Sequence, residues 1–278
     1  MKFIRLATIA ALSTTILAGG TAAVFADENT EVDNERKEVR TVPTEGQVEF
    51  RPVTDEGEDL EIVTPEPEPE IEIDPLIPTV GPLSILMAPT MNFGTQVISN
   101  TAKEYNMVAE MQQKAGTEGE ENKVPYVSFA QVHDIRGTND GWDLKVSMSE
   151  FESNTQNNIL TGAEIVFVGS RIQYEGSNKA NTPEGHADGL KLSATSGAQT
   201  VMTAEQGKGA GVSSVVWGNQ DELTKQFQDP NFDPEKDVIE NGAIQLHVPG
   251  TTAKDATTYK ATLTWDLTTT PGNTTPEN

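Results

Sequence analysis

Not one cysteine occurs in the 278 residues. That excludes a disulfide framework, a lipid-modified cysteine and any thiolate acting as nucleophile or metal ligand. Basic residues are also scarce. Nineteen Lys and Arg face forty-three Asp and Glu, for a formal net charge of -24, so the chain lacks the basic footprint of a nucleic-acid-binding protein. The same charge opposes long-range attraction to other polyanions, including anionic lipids and acidic polysaccharides. Beyond the N-terminus no apolar run approaches the roughly 20 residues of a spanning helix, and no membrane span is expected. Nor is there a serine nucleophile elbow or a zinc signature, and carboxylates are too plentiful for any pair to stand out as catalytic. The protein is not expected to be an enzyme, and no cofactor is expected. His133, His186 and His247 lack metal-ligand spacing and are expected as satisfied surface residues.

What is present begins with an export signal. Lys2 and Arg5 precede an apolar stretch from Leu6 to Ala18, a Gly19-Gly20 break and Val24-Phe25-Ala26, the layout of a signal peptide over residues 1–26. Loss of Lys2 and Arg5 takes two positive charges from -24 and leaves -26. The C-terminal segment Thr270 to Asn278 shows neither a sortase-type signal nor a hydrophobic tail, so retention at a surface is expected to be noncovalent. From residue 27 to 78 Asp and Glu crowd the chain, around Thr64-Pro65-Glu66-Pro67-Glu68-Pro69-Glu70. Such composition buries too little to fold and reads as a disordered, self-repelling acidic spacer, with a short strand open at 48–53.

Residues 79–273 read as one all-β domain, an elaborated Ig-like β-sandwich, followed by a tail at 274–278. Tyr259 to Leu267 places Tyr, Ala, Leu, Trp and Leu on one face and Lys260, Thr262, Thr264 and Asp266 on the other. Gly141 to Met148 alternates in the same way. Weaker strands are expected at 83–87, 93–98, 126–133, 164–168, 190–194, 200–204, 212–217 and 244–248, and residues 101–114 read as strand rather than helix from their surroundings. Turn signals such as Asn139-Asp140-Gly141, Asp188-Gly189 and Pro249-Gly250 separate them. An acidic segment runs from Gln220 to Glu240. Within it Asp229, Asn231, Asp233, Glu235, Asp237 and Glu240 have the oxygen-ligand spacing of a calcium loop, but Pro234 occupies the position of the glycine turn. They form a weak metal candidate, and generic cation condensation is the expectation.

Certain blocks together carry a resemblance. Gly81-Pro82-Leu83-Ser84-Ile85, Phe93-Gly94-Thr95-Gln96, Val132-His133-Asp134-Ile135-Arg136-Gly137-Thr138 and Gly141-Trp142-Asp143-Leu144 come first. Gly197 to Ala204, Gly209-Ala210-Gly211, Val248-Pro249-Gly250 and Tyr259 to Leu267 follow, ending in Pro271-Gly272-Asn273. In this order they resemble the WxL domain over residues 81–273. The resemblance implies secretion to the surface of a low-GC Gram-positive bacterium, location in the cell wall, noncovalent attachment to peptidoglycan, and other exported surface proteins of one complex as partners. The alternative is a protein-interaction subunit or adhesin that binds an exported or host matrix protein. Its signature positions are Trp142, Asp143, Leu144, Trp265, Asp266 and Leu267.

Two chemistries are open to the signature. Indole faces stack on sugar rings without needing net positive charge, so two neighbouring Trp-x-Leu strands could make a glycan platform. Equally, Trp142 and Trp265 share faces with Leu, Val, Met and Ala, as core residues do. Asp143 and Asp266 then face outward, where solvation is the expectation.

Overall fold

Period-two patterning yields fifteen strands among the described residues, which in this computed structural model are Val48, 62–73 and 81–269. In chain order they are β1 (Ile71–Glu72), β2 (Leu83–Met87), β3 (Lys103–Val108), β4 (Glu110–Lys114), β5 (Lys123–Tyr126), β6 (Ser128–Asp134), β7 (Trp142–Met148) and β8 (Glu164–Phe167). There follow β9 (Arg171–Tyr174), β10 (Glu184–Gly185), β11 (Leu190–Leu192), β12 (Gln199–Ala204), β13 (Gly211–Trp217), helix α1 (Gln220–Phe227), β14 (Glu240–Val248) and β15 (Leu263–Thr268). The all-β expectation holds. The expected signal peptide, most of the acidic spacer and the tail lie outside the described residues. No helix among those described is long and apolar enough to cross a membrane.

Four antiparallel sheets form, in the orders β1-β4-β5, β10-β12-β7-β15, β11-β8-β14-β3 and β2-β6-β13-β9. That is more than the two sheets of a simple sandwich. The last three share the main core. Leu144 and Val146 of β7 meet Val132 of β6, Val215 of β13, Ile165 of β8 and Ile244 of β14 in one cluster. Each such side chain, fully buried, stabilises by roughly 1.5–3 kcal/mol. The strand expected at 101–114 is present from Lys103, divided at Ala109 into β3 and β4. Residues 93–98 are not strand: the segment is irregular, and Val97 and Ile98 project outward rather than alternating inward.

β6 and β13 are buried on both faces, which explains their nearly unbroken apolar runs. Their outer residues Phe129 and Val216 enter a second cluster with Tyr126, Leu223 and Ile239. Two segments cover it, and both differ from the sequence expectation. One is the acidic segment at 220–240, which opens with α1 instead of running as a loop. Asn219 caps it by accepting from the Glu222 N–H at 3.2 Å, and Asp221 and Glu222 lie in the first turn, favourable to the helix dipole. Leu223 is its buried anchor.

The other is residues 62–73, expected as part of the disordered spacer. Val63 is held at both backbone groups by the buried Gln131 amide, accepting at 2.7 Å and donating at 3.0 Å. The Tyr126 hydroxyl brackets Glu66 in the same way, donating to its carbonyl and accepting from its N–H, each at 2.7 Å. Pro65 is buried, the Glu66 carboxylate pairs with Arg171, and Ile71–Glu72 adds to β4 as β1. Side-chain composition does not decide the state of this stretch, because its backbone groups hold it. Pro-Glu backbone in extended form presents carbonyls and N–H groups, and Ile62, Ile71 and Ile73 supply apolar contact.

Candidate functional site

The two Trp-x-Leu segments are hydrogen-bonded neighbours. β15 pairs antiparallel with β7, setting Leu267 opposite Leu144, Trp265 opposite Val146 and Asp266 opposite Lys145. In this register Trp265 stands four residues from Trp142 along the ladder, or about 13 Å at strand rise.

Their environments differ as well. Trp142 and Leu144 are fully buried, and the Trp142 indole N–H donates to the Gly209 carbonyl at 3.2 Å. Gly209 permits this approach because its φ is +75° and a Cβ there would lie 2.8 Å from the Trp142 Nε1. Trp142 is therefore a core residue with a satisfied polar atom. β15 lies at the edge of its sheet, and Trp265 and Leu267 are half-buried. The Trp265 ring packs on Trp217 at 6.2 Å between centroids, tilted by 51°. Asp143 is not simply solvated: Thr203, its cross-strand neighbour on β12, donates to it at 2.8 Å. Asp266 is exposed, as expected.

Trp217 and His186 were not singled out from sequence as a pair. Trp217 is fully buried, lies 5.1 Å from Phe167 and stacks on His186 at 6.0 Å. Its indole N–H donates to His186 Nε2 at 2.8 Å, while His186 Nδ1 stands 2.7 Å from the Ala187 carbonyl. An acceptor at Nε2 and a carbonyl at Nδ1 require the neutral ring with its proton on Nδ1. Burial, the largest cause, holds its pKa below the ordinary histidine value. His186 is thus part of the aromatic cluster, contrary to the surface expectation. His133 also departs from it, with a buried Nδ1 that has no partner and a pKa lowered by burial. His247 sits with Gln245 on a polar strand face, as read from the alternation.

A clamp within the block from Val132 to Thr138 ties both signature strands together. Arg136 grips the buried Asp134 carboxylate with two bonds of 2.9 and 2.7 Å. The same guanidinium donates to the Gly141 carbonyl, just before Trp142, and to the Thr269 hydroxyl, just after β15, each at 3.0 Å. The Asp-Ile-Arg spacing was the available signal, since residues two apart on a strand end face one side.

The calcium-loop spacing does not assemble a site. Asp229 accepts from the Asn231 backbone and side chain, Asp237 accepts from the Asp233 N–H, and Asp233 is paired with Lys236. Among the described residues no three His, Asp or Glu side chains are grouped to hold a metal ion. The carboxylates cap local turns instead, including one that runs through Pro234.

Clefts among the described residues include two that bear on a site. One, of about 490 Å³, is lined by Arg171, Glu222 and Glu240 beside the start of α1. Arg171 is already engaged there by Glu66 and by the Gly218 carbonyl at 2.6 Å. The second, of about 520 Å³, lies between residues 91–98 and 254–259.

Comparison with known proteins gives one family. A family model described as "WxL domain surface cell wall-binding" matches residues 37–271. No curated protein and no solved structure matches the chain.

Proposed function

Because the chain belongs to the WxL family of surface cell wall-binding domains, we propose that it is exported and held noncovalently on the wall by peptidoglycan recognition through its β domain. The observation that carries this reading is the extent of the match, which takes in every described strand. The scaffold is read as an elaborated β-sandwich, supported by the main core that three of the sheets share.

Charge narrows the chemistry. With a net charge of -24, the protein gains nothing from Coulomb attraction to an anionic wall polymer. Recognition then rests on ring stacking and on hydrogen bonds to neutral glycan and amide groups, which salt screens little. No catalytic constellation is invoked, and attachment is itself the activity.

A second reading, a subunit that binds another exported or host matrix protein, draws on β15. Among the described residues this strand has no neighbour on its outer edge, and Trp265 and Leu267 are half-buried there. Such an edge can accept an added strand.

Fractionating cells that express the protein separates covalent from noncovalent retention. The expected result is release of a single intact mass by denaturant without muralytic digestion, and no release by concentrated salt. Release only after the wall is digested would contradict noncovalent attachment. Release by salt alone would favour a charged partner.

A further inference from the structure

The cleft between residues 91–98 and 254–259 differs in character from the rest of this acidic molecule. Its floor is apolar, formed by Phe93, Phe151 and Val248, all buried. Two half-buried tyrosines, Tyr105 and Tyr259, line it, and Asn92, Gln96, Thr257 and Thr258 add amide and hydroxyl groups at exposed positions. Only two charged residues line it, Lys254 and Asp255, and both are spent on holding its loops. The Lys254 ammonium donates to the carbonyls of Ser99 at 3.0 Å and Thr252 at 2.9 Å, joining one wall to the other. Asp255 accepts from the backbone and side-chain amides of Asn157 at 2.9 and 2.8 Å. Tyr259 is fixed in turn: its hydroxyl donates to the Asn157 carbonyl at 2.6 Å and accepts from the Asp255 N–H at 3.0 Å.

The outcome is a cleft of about 520 Å³, within the roughly 300–1,000 Å³ of small-ligand sites. It is held open by internal bonds and offers no free charge. An anionic polymer finds no unengaged cation in it. An uncharged ring with one apolar face and several hydroxyls matches it, because the C–H face packs on tyrosine while amides and hydroxyls meet the rim. An N-acetyl group adds a methyl for the apolar floor and an amide for Asn92 or Gln96.

We infer that this cleft seats an N-acetylated pyranose of the wall glycan, with Tyr105 as the ring on which it packs. The inference rests on the wall-binding reading and gives that reading a site away from the Trp-x-Leu strands. Tyr105 is the informative position because among the described residues no hydrogen bond of its hydroxyl holds the loops, whereas that of Tyr259 does.

The test titrates the purified chain with chitotetraose by calorimetry, beside pelleting with purified peptidoglycan, for the wild type, Tyr105→Phe, Tyr105→Ala and Val97→Glu. Tyr105→Phe is expected to bind as the wild type does, and Tyr105→Ala about tenfold more weakly, the size of one lost stacking contact. Val97 is 88% exposed at the lip, so Val97→Glu leaves the core untouched and still weakens binding if a glycan passes over it. Both variants are expected to pellet less. A wild type that pellets with peptidoglycan but gives no saturable response to chitotetraose overturns the glycan cleft and leaves wall binding intact. Equal affinities of wild type, Tyr105→Ala and Val97→Glu overturn it too. Tyr105-dependent chitotetraose binding without any pelleting supports the cleft and removes the wall-binding reading. Capture of another exported protein, lost in Val97→Glu with chitotetraose inert, assigns the cleft to a protein and overturns the inference.

Discussion

At the scale of single residues, the signature divides into a structural half and an edge half. Trp142 is fully enclosed with its N–H satisfied by Gly209, so Trp142→Ala removes a large core ring and is expected to destabilise the fold by about 3–5 kcal/mol. Urea denaturation checks this, and any loss of wall binding should track loss of structure. Trp265→Ala, at the sheet edge, is expected to cost clearly less. Arg136 offers a second residue-level prediction. Its removal leaves the Asp134 carboxylate buried and unpaired, and Arg136→Ala is expected to destabilise by about 3 kcal/mol, much of it restored when Asp134 is also replaced by Asn.

His186 makes the fold sensitive to acid in a defined direction. Burial lowers its pKa in the folded state, so the unfolded chain takes the proton first as pH falls. Stability from this group is full above the ordinary histidine value of about 6.5 and declines as pH drops from there toward the lowered folded value. His133 has the same sign. Denaturant midpoints at pH 7.5 and pH 5.5 are expected to differ more for the wild type than for His186→Asn, about neutral in both states. Equal pH dependence in the two proteins would remove His186 from this role.

At the scale of elements, alternation was the dependable signal. The strand Trp142–Met148 stands where the period of two puts it, because one face is core and the other meets water or a polar neighbour, whereas Leu83–Met87 is enclosed on both faces and shows only as an apolar run. Their pairing was not legible: register depends on turns and on partners distant in sequence, and the four-residue offset between Trp142 and Trp265 follows only from it. Helix α1 escaped notice because two turns with one buried leucine give too little periodicity among acidic residues. The cleft tyrosines escaped for a related reason, since Tyr105 and Tyr259 belong to segments whose neighbours across the cleft are far apart in the chain.

The strap at 62–73 shows composition misleading in the other sense. Its acidity argues for solvation, yet its backbone is gripped by Gln131 and by Tyr126, whose buried hydroxyl has its pKa pushed up to about 12, chiefly by burial. Tyr126→Phe leaves the Glu66 backbone unpaired on both sides and is expected to cost about 1–3 kcal/mol, with faster proteolysis within the strap than elsewhere. Unchanged cleavage there would show that the bracket contributes nothing to docking.

At the scale of the whole molecule, the excess of acidic residues governs where the protein can act and on what. Bringing a net charge of -24 to an anionic wall is opposed at neutral pH, and protonating carboxylates relieves that repulsion. Retention on intact walls is therefore expected to rise between about pH 7 and about pH 4.5, provided the fold persists. Retention indifferent to pH would count against this. On peptidoglycan stripped of teichoic acids the pH effect should shrink.

The most direct measurement is sedimentation of the purified protein with peptidoglycan freed of protein and teichoic acid, across protein concentration and at low and high salt. Saturable pelleting that survives high salt is expected, since neutral contacts carry it. Pelleting no greater than that of an unrelated acidic protein, or pelleting abolished by salt, would contradict that expectation.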